Sequence, residues 1–428
     1  MKNVYDLRYE NNFLFLLPEK EHTALNSLSA ETYRKTTVII YLYYTDTLSN
    51  YFKYIDNIPP EIDLYLISSQ EEVLTEVKAY LTRVSGRKVH YILKENRGRD
   101  VSALLVTGRD IVRKYEYVCF LHDKKEHSEE RKEDTQFWTE NLWANQIGSP
   151  AYIDHILETF ENNYDLGILA PPEPVGTHFN TWYGYGWYHS FEITKEIAKK
   201  LQLKADIRWD KPPITFGTVL WFRSNALRKL FEAGWQYSDF DDDKLKNGHY
   251  LSYAIERIFA YVAQDAGYST GIVMTPSYGE KQINFLQYST HLIFQEMDSF
   301  FPINNLGDLE CFKRNKRKVI EFAQRNTKVY LYGAGKMGRL CSALLRAENI
   351  LPMGYLVSED SEVTMMECLP VTAVEKLGDM QNTAVIITVY QREVQSEIAA
   401  LLEKKGCRNY INLWEFETGE RHEGRHQK

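Results

Sequence analysis

Two short stretches of this 428-residue chain carry the residue types that handle phosphate: ENRGRD (Glu95 to Asp100) and LHDKK (Leu121 to Lys125). In the first, Gly98 permits a positive φ between Arg97 and Arg99, and the N–H groups of a helix start favour an anion. Two guanidinium groups can fork onto phosphate oxygens, and Asp100 is placed to cap a helix that begins at Val101. A βα turn with a solvated arginine pair accounts for the same residues equally well. In the second stretch, strand alternation puts Phe120, His122 and Lys124 on one side and Leu121, Asp123 and Lys125 on the other. A departing diphosphate is stabilised either by a divalent metal on acidic residues or by lysines and a protonated histidine through charge-assisted bonds. One carboxylate followed by two lysines favours the second device, a basic, metal-free cradle. A metal site from His122, Asp123 and His127 follows no familiar ligand spacing. The plainest account of LHDKK is a charged strand end facing water.

Two further motifs carry chemistry. Gly217 opens GTVLWFR and permits close backbone approach, while Glu256 lies on a helix whose apolar stripe is Ile255, Ile258, Phe259 and Val262. A carboxylate bordering such a stripe can have a raised pKa and serve as general base. Beside Arg257 it suits an ordinary surface helix just as well. GAGKMG, with Gly333, Gly335 and Gly338, follows the strand KVYLY and opens a helix, the setting of a dinucleotide fingerprint. Ser358, Glu359 and Asp360 fall near where an acidic ribose partner would stand. The pattern supports a Rossmann-like fold more strongly than a bound dinucleotide.

The elements that position these residues alternate. Strands are predicted at Thr36–Asp46, Asp63–Ser69, Lys88–Asn96 and Tyr117–Leu121, with helical patterns between them. That order predicts an α/β fold, a mainly parallel sheet with right-handed crossovers, whose ligand lies outside the carboxyl ends of the strands. Asp46, Ser68, Asn96 and His122 are expected together on that edge. Helical sequence runs from Thr135 to Asn163. A strand at Asp165–Pro172 leads into an aromatic loop, His178 to Phe191, predicted to stack on sugar rings or close as a lid. Further elements are a strand at Thr215–Arg223, a helix at Tyr250–Tyr268, a helical connector, and a smaller α/β unit.

A net charge of −8 argues against general nucleic-acid binding. Five scattered cysteines without a C-x-x-C pair point to a reduced, cytoplasmic protein. No signal peptide or membrane span is apparent, so work at a membrane would be peripheral, at the inner face of the plasma membrane. KRNKRK (Lys313 to Lys318) could meet anionic lipid, although a solvated linker helix explains it more simply. Aromatic residues make up 14% of the chain, with 30 tyrosines; half-buried strand tyrosines are the ordinary reason.

The turn NRGRD, the strand end HDKK, Gly217–Arg223 and AIER (Ala254 to Arg257), in that order, resemble the rhamnan synthesis protein F family over residues 36–280. That family usually shows N-x-G-R-D and L-H-T-K-K; Asp123 stands here in place of Thr, and Tyr253 where His often precedes AIER. The resemblance implies a GT-A-like glycosyltransferase of bacterial cell-surface polysaccharide assembly, using an activated deoxysugar such as dTDP-rhamnose. It places donor contacts on Asn96, Gly98, Arg99, Asp100, Lys124, Lys125 and Gly217, and reactive roles on His122 and Glu256. Asp46, Arg97 and Asp123 join the expected substrate site, and no bound cofactor beyond the nucleotide-diphosphate sugar is expected. The rest of the chain is expected to form an N-terminal extension (1–35), a helical connector (281–326), a Rossmann-like domain (327–416) and a flexible tail (417–428). The rival reading is an inactive sugar- or nucleotide-binding scaffold. An NAD-dependent oxidoreductase ranks last, since no catalytic domain is left over.

Overall fold

The computed structural model describes residues 12–20, 28–84, 87–125, 132–173, 190–209, 217–240, 251–300 and 305–414, with Trp187, Thr215 and Ile303. The chain divides into two compact units, 1–285 and 286–428.

The first unit is an eight-stranded sheet of order β1-β8-β6-β7-β5-β2-β3-β4. The strands are β1 (Asn12–Leu16), β2 (Thr36–Tyr41), β3 (Asp63–Ser68), β4 (Val89–Leu93), β5 (Tyr117–His122), β6 (Leu166–Ala170), β7 (Leu220–Arg223) and β8 (Ser269–Met274). All neighbours pair parallel except β7, which runs antiparallel between β5 and β6. The segment expected as a separate extension supplies the edge strand β1, paired with β8 from Asn12↔Thr270 to Leu16↔Met274.

The central strands read as unbroken apolar runs because helices cover both faces. Val118 and Phe120 face one core, with Ile39, Val101, Leu104, Ile258 and Phe259. Tyr117, Cys119 and Leu121 face the other, with Val73, Val77, Trp143, Ile153 and Phe160. The helical stretch after Thr135 is two helices, Lys132–Ile147 and Pro150–Asn162. Ser149 caps the second through the Tyr152 amide, with proline at its start.

Arg223 staples the sheet from inside. Its guanidinium, nearly fully buried, donates to the Leu166, Phe160 and Asn163 carbonyls, the Tyr117 hydroxyl and the Glu116 carboxylate. The end of the GTVLWFR motif is therefore structural.

The second unit is a six-stranded sheet of order β11-β12-β10-β9-β13-β14. Its strands are β9 (Val329–Tyr332), β10 (Gly354–Val357), β11 (Met365–Met366), β12 (Leu369–Ala373), β13 (Ala384–Ile387) and β14 (Asn409–Asn412), parallel but for β11. Among the described residues no helix is long and apolar enough to cross a membrane.

Candidate active site

The sheet order reverses at β2. The chain steps outward from β2 through β3 to β4, then returns to place β5 on the other flank of β2. Loops leaving such a switch point diverge and open a crevice at the carboxyl ends. A cavity of about 720 Å³ lies there, lined by Tyr41, Tyr43 and Tyr44 after β2, Asn96, Arg99 and Asp100 after β4, and His122 to Lys125 after β5. Thr135 and Trp138 from one helix, and Ser252, Tyr253 and Glu256 from another, complete the wall.

Gly98 has φ +66°, and a Cβ there would lie 2.6 Å from the Phe240 ring. Arg99 follows with φ +48°. Lys94, 6% exposed, donates to the Glu95 and Arg97 carbonyls at 2.8 and 2.9 Å, and the Ser102 hydroxyl also donates to Arg97 O. These bonds draw the turn's carbonyls inward. Gly98→Ala should cost about 1–3 kcal/mol through strain and the Phe240 clash. Chemical denaturation should show that loss.

Asp100 does not cap the helix. The helix runs Arg99–Ser102 with Gly98 at its N-cap and no side-chain cap bond. The carboxylate instead lies 3.7 Å from His122 Nε2. Burial pushes Asp100 up, but His122, the Thr218 hydroxyl and Lys124 outweigh it, and its pKa stays below the ordinary aspartate value.

His122 is a strut. Nδ1 meets the Asp123 carbonyl and Nε2 the Gly217 carbonyl, each at 2.8 Å. Carbonyls only accept, so both contacts are hydrogen bonds only when the ring carries both protons. Both ring nitrogens thus meet backbone carbonyls, while the side chain also lines the cavity where a diphosphate contact is expected.

Asp123 is explained by the loop beside it. Its Oδ2 accepts from the Tyr43 and Tyr44 amides at 2.8 and 2.9 Å. Burial pushes its pKa up to about 6, against the pull of those amides.

Lys124 is the cation turned into the cavity. Its Nζ sits 3.8 Å from the Trp138 ring centroid. Burial pushes the ammonium below the ordinary lysine range, opposed by the charges of Glu256 and Asp100. Gly217, with φ +86°, packs against it: a Cβ there would lie 3.3 Å from Lys124 Nζ and 3.5 Å from Trp138. Thr218 follows with φ +40°, rare for a β-branched residue. Glu256 also lines the cavity, with Oε1 3.4 Å from Arg257.

Five expected residues stand apart from the lining, Gly98 and Gly217 in the turns described above and three others. Strand β2 ends at Tyr41, and Asp46 lies further on, in the short turn Thr45–Thr47, paired with Lys125 at 2.5 Å. Ser68 ends β3 but is buried and accepts from the Gln70 amide. Arg97 faces Glu95 at 3.5 Å. The aromatic loop lies outside the described residues except Trp187, Ser190 and Phe191. Trp187 is core, with its indole N–H on the Trp209 carbonyl. Asp241 to Lys244 and His127 also lie outside them. Tyr43, Tyr44, Lys94, Trp138 and Thr218 were missed from sequence; only Lys94, a lone cation at an apolar strand end, left a readable signal.

In the second unit, Gly333 has φ +115°, Gly335 caps the helix Lys336–Ala347, and a Cβ on Gly338 would lie 1.9 Å from the Gly333 carbonyl oxygen. The strand-to-helix turn therefore closes as a dinucleotide fingerprint requires.

The rhamnan synthesis protein F family matches residues 1–268. The chain belongs to that family. The uncharacterized protein WxcX of Xanthomonas campestris pv. campestris, in strains B100 and ATCC 33913, is 23% identical over 256 residues, 56% of this chain and 34% of each relative. The chain thus spans about a third of the length of these relatives. The mannosyltransferase PcManGT of Pyrobaculum calidifontis, solved with GDP-Man and Mn2+, aligns over 73% of this chain and 69% of its own. Its identity is 13% and its TM-score 0.31, too loose a likeness to argue from.

Proposed function

We propose that residues 36–280 of this rhamnan synthesis protein F family member transfer a sugar from a nucleotide-diphosphate donor to a hydroxyl of a glycan or lipid-linked acceptor. Rhamnose or another deoxysugar is the transferred group. The observation that carries this reading is the cavity at the switch point, whose lining includes Arg99, Lys124, Lys125 and Glu256.

The acceptor oxygen forms a bond to the anomeric carbon while the bond from that carbon to the diphosphate oxygen breaks. The nucleoside diphosphate leaves with the electron pair, and Glu256 takes the acceptor proton. Lys124, with Arg99 and Lys125, meets the charge that develops on the leaving oxygens. The cavity's carboxylates support a cationic cradle, because each is turned to a protein partner: Asp100 to His122, Asp123 to the Tyr43 and Tyr44 amides, Glu256 to Arg257. The scaffold reading draws on that Glu256–Arg257 pair, which a structural carboxylate would also make. In the same reading the Gly333 to Gly338 turn holds a nucleotide in the second unit, and Lys313 to Lys318 rest on anionic lipid.

The test is turnover of a panel of nucleotide sugars by the full-length protein, with and without chelator, read as nucleoside diphosphate released and glycan formed. Chelator-insensitive transfer that Glu256→Gln lowers on the order of a hundredfold is expected. Transfer abolished by chelator sinks the metal-free cradle. Donor binding without turnover in every variant favours the scaffold.

A further inference from the structure

The Lys124 ammonium is held in an unusual way. It is part-buried at the cavity wall, and among the described residues its ammonium makes no salt bridge within 4 Å and no hydrogen bond. Its close partner is a π face, the Trp138 indole at 3.8 Å. Both ends of this contact are fixed. Lys124 follows β5 directly, with its backbone N–H 3.0 Å from the Tyr51 hydroxyl, and Trp138 lies on the helix Lys132–Ile147. Gly217 closes the third side, where a Cβ would crowd both the ammonium and the indole.

A cation on an aromatic face keeps its N–H donors unspent. Such a contact strengthens when desolvated, which offsets part of the cost of burying charge without placing a carboxylate where an anion must bind. We infer that Trp138 is the positioning residue for the ammonium that receives the donor's diphosphate. Lys124 rests on the indole, and a diphosphate takes up its N–H groups from the cavity side. This inference rests on the proposed donor site and adds the residue that holds the cation ready there.

The full-length protein, its Trp138→Phe and Trp138→Leu variants, and Lys124→Met are titrated with inorganic pyrophosphate and with UDP, GDP and dTDP by calorimetry. Circular dichroism and thermal unfolding check each fold. Trp138→Leu should weaken the tightest of these probes about tenfold, since 1.4 kcal/mol is a factor of ten. Trp138→Phe, which keeps a π face, should stay within about threefold of the parent. Binding should also change the parent's tryptophan emission, and that change should vanish in Trp138→Phe. Leucine binding as well as tryptophan, or phenylalanine failing as badly as leucine, overturns the role of the π face. No binding of any probe by the parent protein overturns the donor site itself, a separate and earlier failure. The emission change needs no variant that might misfold, and its absence on binding counts against the contact.

Discussion

Replacing Lys124 with methionine should lower kcat/KM for the nucleotide-sugar donor on the order of a hundred- to a thousandfold, with the fold retained. Methionine fills the space against Trp138 and removes the charge. The pH profile gives the assignment its sign. Burial holds the Lys124 ammonium below the ordinary lysine range. Phosphate oxygens need the protonated form, so the contact is complete at lower pH. It is lost as pH rises through the depressed value, sooner than for an exposed lysine. The parent protein should therefore show an alkaline fall in kcat/KM that Lys124→Met lacks. An identical alkaline limb in both proteins would assign that titration to another group. A full rate in the variant would remove Lys124 from the site.

The largest loss of stability should come from Arg223, which touches no part of the cavity. Arg223→Met removes one donor from each of the Leu166, Phe160 and Asn163 carbonyls, the Tyr117 hydroxyl and the Glu116 carboxylate, while Phe160 O and Asn163 O keep backbone amides and Glu116 keeps Lys35. Each lost hydrogen bond from the charged, buried guanidinium costs about 1.5–3 kcal/mol, while the exposed Glu116 adds little. Denaturant titration should show that loss, with donor affinity per folded molecule unchanged. Arg223→Lys should recover only a minor part, since an ammonium cannot reproduce the planar fork. A methionine variant within about 1 kcal/mol of the parent would show that water satisfies those groups instead.

The α/β alternation was readable because β2, β3 and β5 are apolar runs bounded by polar turns, and that is a local property. The turn at Gly98 was readable for the same reason, since a glycine between arginines is a local conformational demand. What the chain did not disclose depends on distant pairings. The antiparallel β7 inserts between β5 and β6, and no local pattern distinguishes it from a parallel strand. Asp100 has the composition of a cap, yet its carboxylate goes to His122, a residue brought close only by the β2–β5 pairing. His122 reads as a cation for a leaving diphosphate, and its contact with the Gly217 carbonyl, far along the chain, is one no local pattern announces. Trp138 reads as one more apolar position of a helix. The break between the helices Lys132–Ile147 and Pro150–Asn162 was in plain view as Gly148-Ser149-Pro150, and the capping rule would have found it.

The pairing of β1 with β8 has a consequence for synthesis. Asn12 meets Thr270, so the first described strand has no sheet partner until almost the whole unit has left the ribosome. At about 5–20 residues per second, that wait is on the order of ten seconds or longer. Through it, Phe13, Leu14 and Phe15 travel as an apolar, unpaired β-segment, the kind of sequence that holding chaperones bind. The nascent chain, more than the finished protein, is where aggregation would begin.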